Sequence, residues 1–198
     1  DPMQNLYGRA PLALPGWVGL RAEVNYRSPK DILGVINGLL GPGSSIRAGS
    51  PITGAEVEIL TYEDSASLME RTKTAITRGL GAGFRKEAIA LITYRGREHS
   101  RFTPLDRLGP HRLKAFTGGY DLLGAPVYTT GELFIDSVYR FKGQSAPCVV
   151  FTEIDFTELD DAARRKLFVG MTRATLKLIL VMSESSAQRL RRHIDRET

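Results

Sequence analysis

Apolar and polar positions recur along this chain with two different periods, and those periods mark out most of its elements. Ile32, Val35, Ile36 and Leu39 fall at helical spacing within "SPKDILGVINGLL", which predicts a helix with one buried face. Ser28 is placed to cap it, Pro29 to occupy its first position and Asp31 to complement its dipole. "EVEILTY" alternates as a strand does, and "EDSASLMERTKTAITRGL" follows as an amphipathic helix. "EAIALITY" is a short apolar run of the fully buried type. "WVGLRAEV", "HRLKAFTGG", "ELFIDSVY", "APCVVFTEI" and "TLKLILVMS" read as further strands. "REHSRFTPLDRL" is predicted as a helix interrupted at Pro104, and "ELDDAARRKLFVGMTRA" and "ESSAQRLRRHIDRE" as the last two helices. "GPGSSIRAGSPITGA", dense in Gly, Ser and Pro, reads as a loop.

Strands separated by helices of about ten residues or more predict an α/β fold, a doubly wound, mainly parallel sheet flanked by helices. Such sheets keep their ligands beyond the carboxyl ends of the strands.

Composition narrows the function classes. The 198 residues suffice for one domain, or one domain with a fragment of another. No apolar run approaches the ~18 residues of a membrane span, and the N-terminus lacks the pattern of a signal peptide. A membrane role is not expected. Cys148 is the single cysteine, which excludes an intramolecular disulfide and a cysteine-based metal cluster. A reducing, cytoplasmic setting is therefore expected. His99, His111 and His193 are scattered, so no metal site is expected. A net charge of +5 suits a polyanionic partner, because Lys and Arg that neutralise phosphates release counterions.

The chemistry gathers at a few boundaries. The phosphate loop GxxxxGK[ST] is absent, and "GLGAGFRK" has the wrong spacing with no Ser or Thr after its lysine. "NYRS" places Tyr26 and Arg27 directly before a helix N-terminus, where anions are attracted. "VYRFKGQSAP" places Tyr139, Arg140 and Lys142 between two strands, and "VGMTRA" places Arg173 where a helix hands over to a strand. Each alone also has an ordinary structural reading: packing, a solvated cap, a turn, or a helix C-terminus that favours a cation.

Together, and in order, these segments resemble the UvrD/Rep-type superfamily 1 DNA helicases. "DPMQNLYGR" resembles motif III, "NYRSPKDIL" motif IV, "AIALITYRGREHSRFTPLDRL" the DNA-holding segment after it, "DSVYRFKGQSAPCVVFTEID" motif V and "RRKLFVGMTRATLKLILV" motif VI. The resemblance implies a second RecA-like motor domain over 17–198, with 1–16 as a trailing piece of the first domain and a linker. The P-loop and the Mg²⁺-binding acidic motif would then lie upstream, and the chain would be a fragment without ATPase activity of its own.

By the same resemblance, Gln4 senses the γ-phosphate, Tyr26 stacks on adenine, Arg27 contacts the γ-phosphate and Arg173 is the arginine finger. Gly143 and Ser145 fall beside the nucleotide; Ser145 stands where many relatives carry a ribose-contacting Glu. Tyr7 falls where an aromatic supports DNA or the hinge, and Tyr94 and Arg95 fall as DNA contacts. Ser137, Tyr139, Arg140 and Lys142 fall in the nucleic-acid-binding motif V stretch that couples the DNA track to the nucleotide cleft, with Tyr139 where a histidine is common. The implied ligands are ATP and Mg²⁺, bound mainly by the first domain. The implied partners are single-stranded DNA, or DNA with a single-stranded tail, and that first domain, the protein acting as a monomer in DNA repair. The large helical subdomain of bigger relatives is missing between Gly119 and "ELFIDSV". A reading from another class is a stand-alone module that binds single-stranded nucleic acid or a protein.

Overall fold

The computed structural model describes residues 2–8, 15, 24–40 and 45–197. Val57–Tyr62 (β3), Ile89–Thr93 (β4), Leu133–Ser137 (β8), Ala146–Ile154 (β9) and Ala174–Ser183 (β10) pair in parallel with one another and with His111–Tyr120 (β6). The order across the sheet is β3-β10-β9-β4-β8-β6, with Arg107–Leu108 (β5) added antiparallel at the far edge. Pro126–Tyr128 (β7) also pairs with β6 antiparallel, closing a hairpin. Val24–Asn25 (β1) and Arg47–Ala48 (β2) form a separate parallel pair. The helices are Lys30–Leu40 (α1), Ser65–Gly81 (α2), Asp161–Met171 (α3) and Glu184–Glu197 (α4). The α/β class and the parallel sheet flanked by helices are as the periodicity predicts.

The central strands are apolar on both faces because both are covered. In β9, Cys148 and Val150 join a core with α2, while Val149 and Phe151 join another with α1 and α3. In β10, Ile179 and Val181 point to the first core, and Leu178, Leu180 and Met182 to the second. This is the near-continuous hydrophobic run expected of a buried parallel strand. Cys148 is fully buried, and burial pushes its thiol up to about 11, so it serves as a small hydrophobe.

Three local expectations change, and a fourth lies almost wholly outside the described residues. Of the strand expected over 17–24, only Val24 lies within the described residues. The helix expected over 97–108 is a single 3₁₀ turn, Arg97–His99, followed by β5. Its backbone is captured by other partners: the Ser100 hydroxyl accepts from Phe102 and Thr103 N–H, and the Glu153 carboxylate accepts from Arg101 N–H at 2.8 Å. Phe102 is wholly buried between them. Ser28 does not cap α1 by its side chain; instead the Asn25 amide oxygen accepts the Arg27 and Ser28 N–H groups at 2.8 and 2.9 Å. The Asp31 carboxylate, at the first turn of α1, ties down Ala55 N–H at 3.0 Å. The loop expected over 41–55 contains β2.

Helix α3 lies close against the sheet because Gly170 has no side chain. A Cβ there would overlap the ring of Phe151. Gly170→Ala is expected to cost about 2–3 kcal/mol through overpacking, measured by urea denaturation. Phe151→Leu should recover part of that loss in a double-mutant cycle. A change within ~0.5 kcal/mol would mean that α3 shifts freely.

Candidate functional site

The predicted residues divide between the two ends of the sheet. Gly143–Ser145 and Arg173 lie just before the amino ends of β9 and β10. Tyr94 and Arg95 follow the carboxyl end of β4, and Tyr139 and Arg140 that of β8. A single site beyond the carboxyl ends, the arrangement expected of a doubly wound sheet, is not how these residues are grouped.

At the amino end, α3 runs out at Thr172, whose hydroxyl donates to the carbonyls of Phe168 and Val169 at 2.8 and 3.1 Å. The chain then turns into β10 through Arg173, which is only 3% exposed. Its Nε donates to Val169 carbonyl at 2.9 Å, Nη1 to Gln144 carbonyl at 3.2 Å and Nη2 to Thr172 Oγ1 at 2.9 Å. A guanidinium has five N–H donors, so two have no partner among the described residues. No carboxylate among the described residues pairs with it. Burial, and secondly the charge of Arg27, pull its pKa down to about 10. It nevertheless remains a cation at neutral pH. Gly143, at φ +91°, supplies the left-handed turn that brings the Gln144 carbonyl to it.

Arg27 and Tyr26 sit next to this region on the segment before α1. The Asn25 side chain folds the backbone into a turn that leaves Tyr26 75% exposed and Arg27 exposed. Gly49 seats the tyrosine ring: a Cβ there would come within 2.6 Å of it. Ser145 and Lys142 are exposed on the intervening loop. Arg27 and Arg173 thus form a pair of like charges, which is a good reception for an anion and a poor arrangement without one.

The carboxyl end is aromatic and basic. Tyr139 is half-buried, its ring 5.8 Å from that of Tyr7, and Lys166 of α3 lies over both Tyr139 and Tyr94 at 5.7 and 4.8 Å. Tyr94 is 5% exposed, packed against Phe151 and Phe156, and its burial raises the phenol pKa. Its ring belongs to the core and offers no open face to a base. Arg95 pairs with Asp155 at 3.5 Å at the surface. Ser137 is buried and shapes the turn into Arg140, its carbonyl accepting the Arg140 N–H at 3.1 Å. Arg140 donates to Asp136 at 3.1 Å. Burial raises the Asp136 carboxyl above its ordinary value, against the Ser137 N–H and the Arg140 charge. Gln4 ends a 3₁₀ turn, Pro2–Gln4, that packs on α3. Sequence reasoning missed Lys166, Gly49 and the Gln144 carbonyl. None of them carries a pattern beyond a basic helix face or a loop glycine.

Among the described residues, no cluster of His, Cys, Asp or Glu could hold a metal ion, and no helix is long and apolar enough to cross a membrane. Residues 132–181 match the family model of the UvrD-like helicase C-terminal domain. That span holds the 137–145 turn, α3 and Arg173. No curated protein matches the chain. Among solved structures, it is similar to the C-terminal domain of a possible DNA helicase from Lactobacillus plantarum WCFS1, at 13% identity and a TM-score of 0.56, over 81% of this chain and 88% of that one. At that identity the likeness concerns the fold.

If Arg173 is held for a ligand, it contributes little to folding. Replacing it with Met keeps most of the volume and removes an unpaired buried charge, a change that is often neutral or stabilising. Arg173→Met is expected to leave the unfolding free energy within about 1 kcal/mol of wild type, or to raise it, by urea denaturation. A loss above ~3 kcal/mol would mark a structural arginine.

Proposed function

We propose that this chain, which carries UvrD-like helicase C-terminal sequence over 132–181 and a fold similar to a helicase C-terminal domain, is the second motor domain of an ATP-dependent DNA helicase or translocase. The observation that carries the reading is Arg173: a buried guanidinium with no carboxylate beside it among the described residues, close enough to Arg27 for their charges to oppose. Two such cations fit a polyphosphate. A first motor domain, bearing the P-loop and Mg²⁺ ligands, would present that phosphate across a cleft. Residues 2–8, packed on α3, would belong to the end of that domain.

In this reading Tyr26, exposed above Gly49, takes the adenine face. Arg27 and Arg173 stabilise charge on the γ-phosphoryl group, and Gln4 reports its presence. Guanidinium suits the task because it stays charged and offers a planar fork of donors. Such a finger is worth roughly 10³–10⁵ in rate. Both contacts exist only while triphosphate is present, so hydrolysis and release open the cleft. The aromatic and basic carboxyl end, with Tyr7, Tyr139 and Arg140, would grip a single strand by stacking and by its phosphates.

The chain alone is expected to show no Mg²⁺-dependent ATP hydrolysis; robust turnover by the pure protein would overturn the reading of it as a second motor domain that depends on a P-loop partner. In a protein that also carries the P-loop domain, Arg173→Ala is expected to lower kcat by about 10³-fold or more while nucleotide affinity, read by fluorescent-ATP titration, changes by only a few fold. Arg173→Lys should not rescue it, because a point charge lacks the fork. Retained turnover in Arg173→Ala would remove Arg173 from this role.

A further inference from the structure

The β6–β7 hairpin carries a feature that the proposed motor chemistry does not use. Its tip is firmly built: Asp121 N–H and the Ala125 carbonyl pair at 2.9 Å, Gly124 N–H reaches Asp121 carbonyl at 3.0 Å, and the Asp121 carboxylate accepts Leu123 and Ala125 N–H at 2.9 and 2.8 Å. Gly124 supplies the left-handed residue at φ +79°. Yet this ordered turn holds Leu122 and Leu123 out at 105% and 94% exposure, with Tyr120 at 60% beside them. Two adjacent leucines held fully in water by a hydrogen-bonded turn mark a surface that another molecule covers.

The surface behind the tip identifies the chemistry of that molecule. The Tyr120 ring stands edge-on to Phe116, centroids 5.4 Å apart, and Phe116 is in turn 6.0 Å from Tyr128. Three cations lie over these rings. Arg140 is 3.6 Å and Arg97 5.0 Å from the Phe116 centroid, and Lys114 is 5.7 Å from that of Tyr128. Arg97 is anchored by donating to the Phe116 carbonyl, and Arg140 reaches the Tyr120 hydroxyl at 3.5 Å. Lys114 is exposed and makes no ion pair among the described residues. The nearby carboxylates offset little of this. Asp136 is buried and tied to Arg140, Asp121 closes the turn, and Glu98 is exposed on the Arg97–His99 turn. Gly118 and Gly119 place no side chain over the stretch leading to Tyr120. A flat exposed ring, flanking apolar side chains and cations set behind them match a base with its phosphate, and match an apolar protein surface less well.

We propose that the hairpin binds single-stranded nucleic acid, one base stacking on Tyr120 against Leu122 and Leu123 and the adjoining phosphates lying toward Lys114 and Arg97. This rests on the nucleic-acid part of the function proposed above and extends its surface beyond Arg140 to the edge of the sheet.

The test is fluorescence anisotropy of this chain with a labelled oligothymidylate of about 20 nucleotides, longer than a single site of this kind. Tyr120→Ala is expected to weaken binding about tenfold, as loss of one stacked base does, without changing its salt dependence. Tyr120→Phe should stay within about twofold of wild type. Lys114→Gln should lower the slope of log affinity against log salt by about 0.7, the value for one phosphate on a single strand. These positions are exposed, and circular dichroism will confirm the fold of each variant. If Tyr120→Ala and Leu122→Ser/Leu123→Ser bind as wild type while Lys142→Ala is weakened, the hairpin proposal is wrong and the general reading stands. If wild-type protein fails to bind the oligonucleotide at low salt, both fall.

Discussion

A guanidinium sealed into a protein without a counter-charge is costly, and the amino-terminal edge of this sheet holds one, Arg173, that has no carboxylate partner among the described residues. Arg173 is held by two backbone carbonyls and one hydroxyl. Its side chain takes the Val169 and Gln144 carbonyls, and its own carbonyl accepts Ala146 N–H at 3.0 Å. Arg173 thus sits where the end of α3 meets the starts of β9 and β10. Carbonyl dipoles lessen the burial cost, but they do not neutralise the charge. Its pKa of about 10 lies below the ordinary arginine value. The folded state is therefore penalised at every pH below that point, and is relieved only as pH rises through it. An anion would remove the penalty at neutral pH.

The opposite end depends on a different buried charge. Glu153 is fully buried in β9, with φ at +57°, a left-handed conformation that a non-glycine residue adopts at a cost of about 1–2 kcal/mol. Its carboxylate accepts the Thr93 hydroxyl and the Arg101 N–H. Those two bonds tie the segment after β4 to the sheet and keep Arg97 in reach of the Phe116 carbonyl. The cations over the hairpin rings are thus positioned from within the sheet.

How much of this was legible beforehand differs by element. The apolar runs in β4, β9 and β10 were unambiguous because those strands are largely buried on both faces, β3 showed the alternation of an edge strand, and α2 carried an amphipathic pattern. The segment 97–108 misled because its charged and apolar spacing suits a helix. What holds it extended is a carboxylate more than fifty positions away, which local pattern cannot show. The strand β6 was read from "HRLKAFTGG", but β7 and the closure of the hairpin were invisible for the opposite reason: the exposed strand ends have no apolar alternation, only a Gly-rich stretch. In the candidate site, Tyr26, Arg27 and Arg173 were found as residues. Their grouping at the amino ends, and the burial of Tyr94, depended on strand order and packing.

Helix α3 joins the two ends. Its 11 residues span about 16 Å. From the middle of the helix Lys166 lies over Tyr94 and Tyr139, and the last turn delivers Thr172 and Arg173 to the opposite edge. The turn Pro2–Gln4 rests on the same helix, and Tyr7 rests on Tyr139. Because Gly170 lets α3 seat directly on Phe151, the helix cannot slide without disturbing the core. A displacement imposed at Arg173 would therefore be carried as a movement of the whole rod to Lys166 and the aromatic surface beside it. Close packing makes that transmission stiff, since an interior at crystal-like density has few voids in which to absorb a shift.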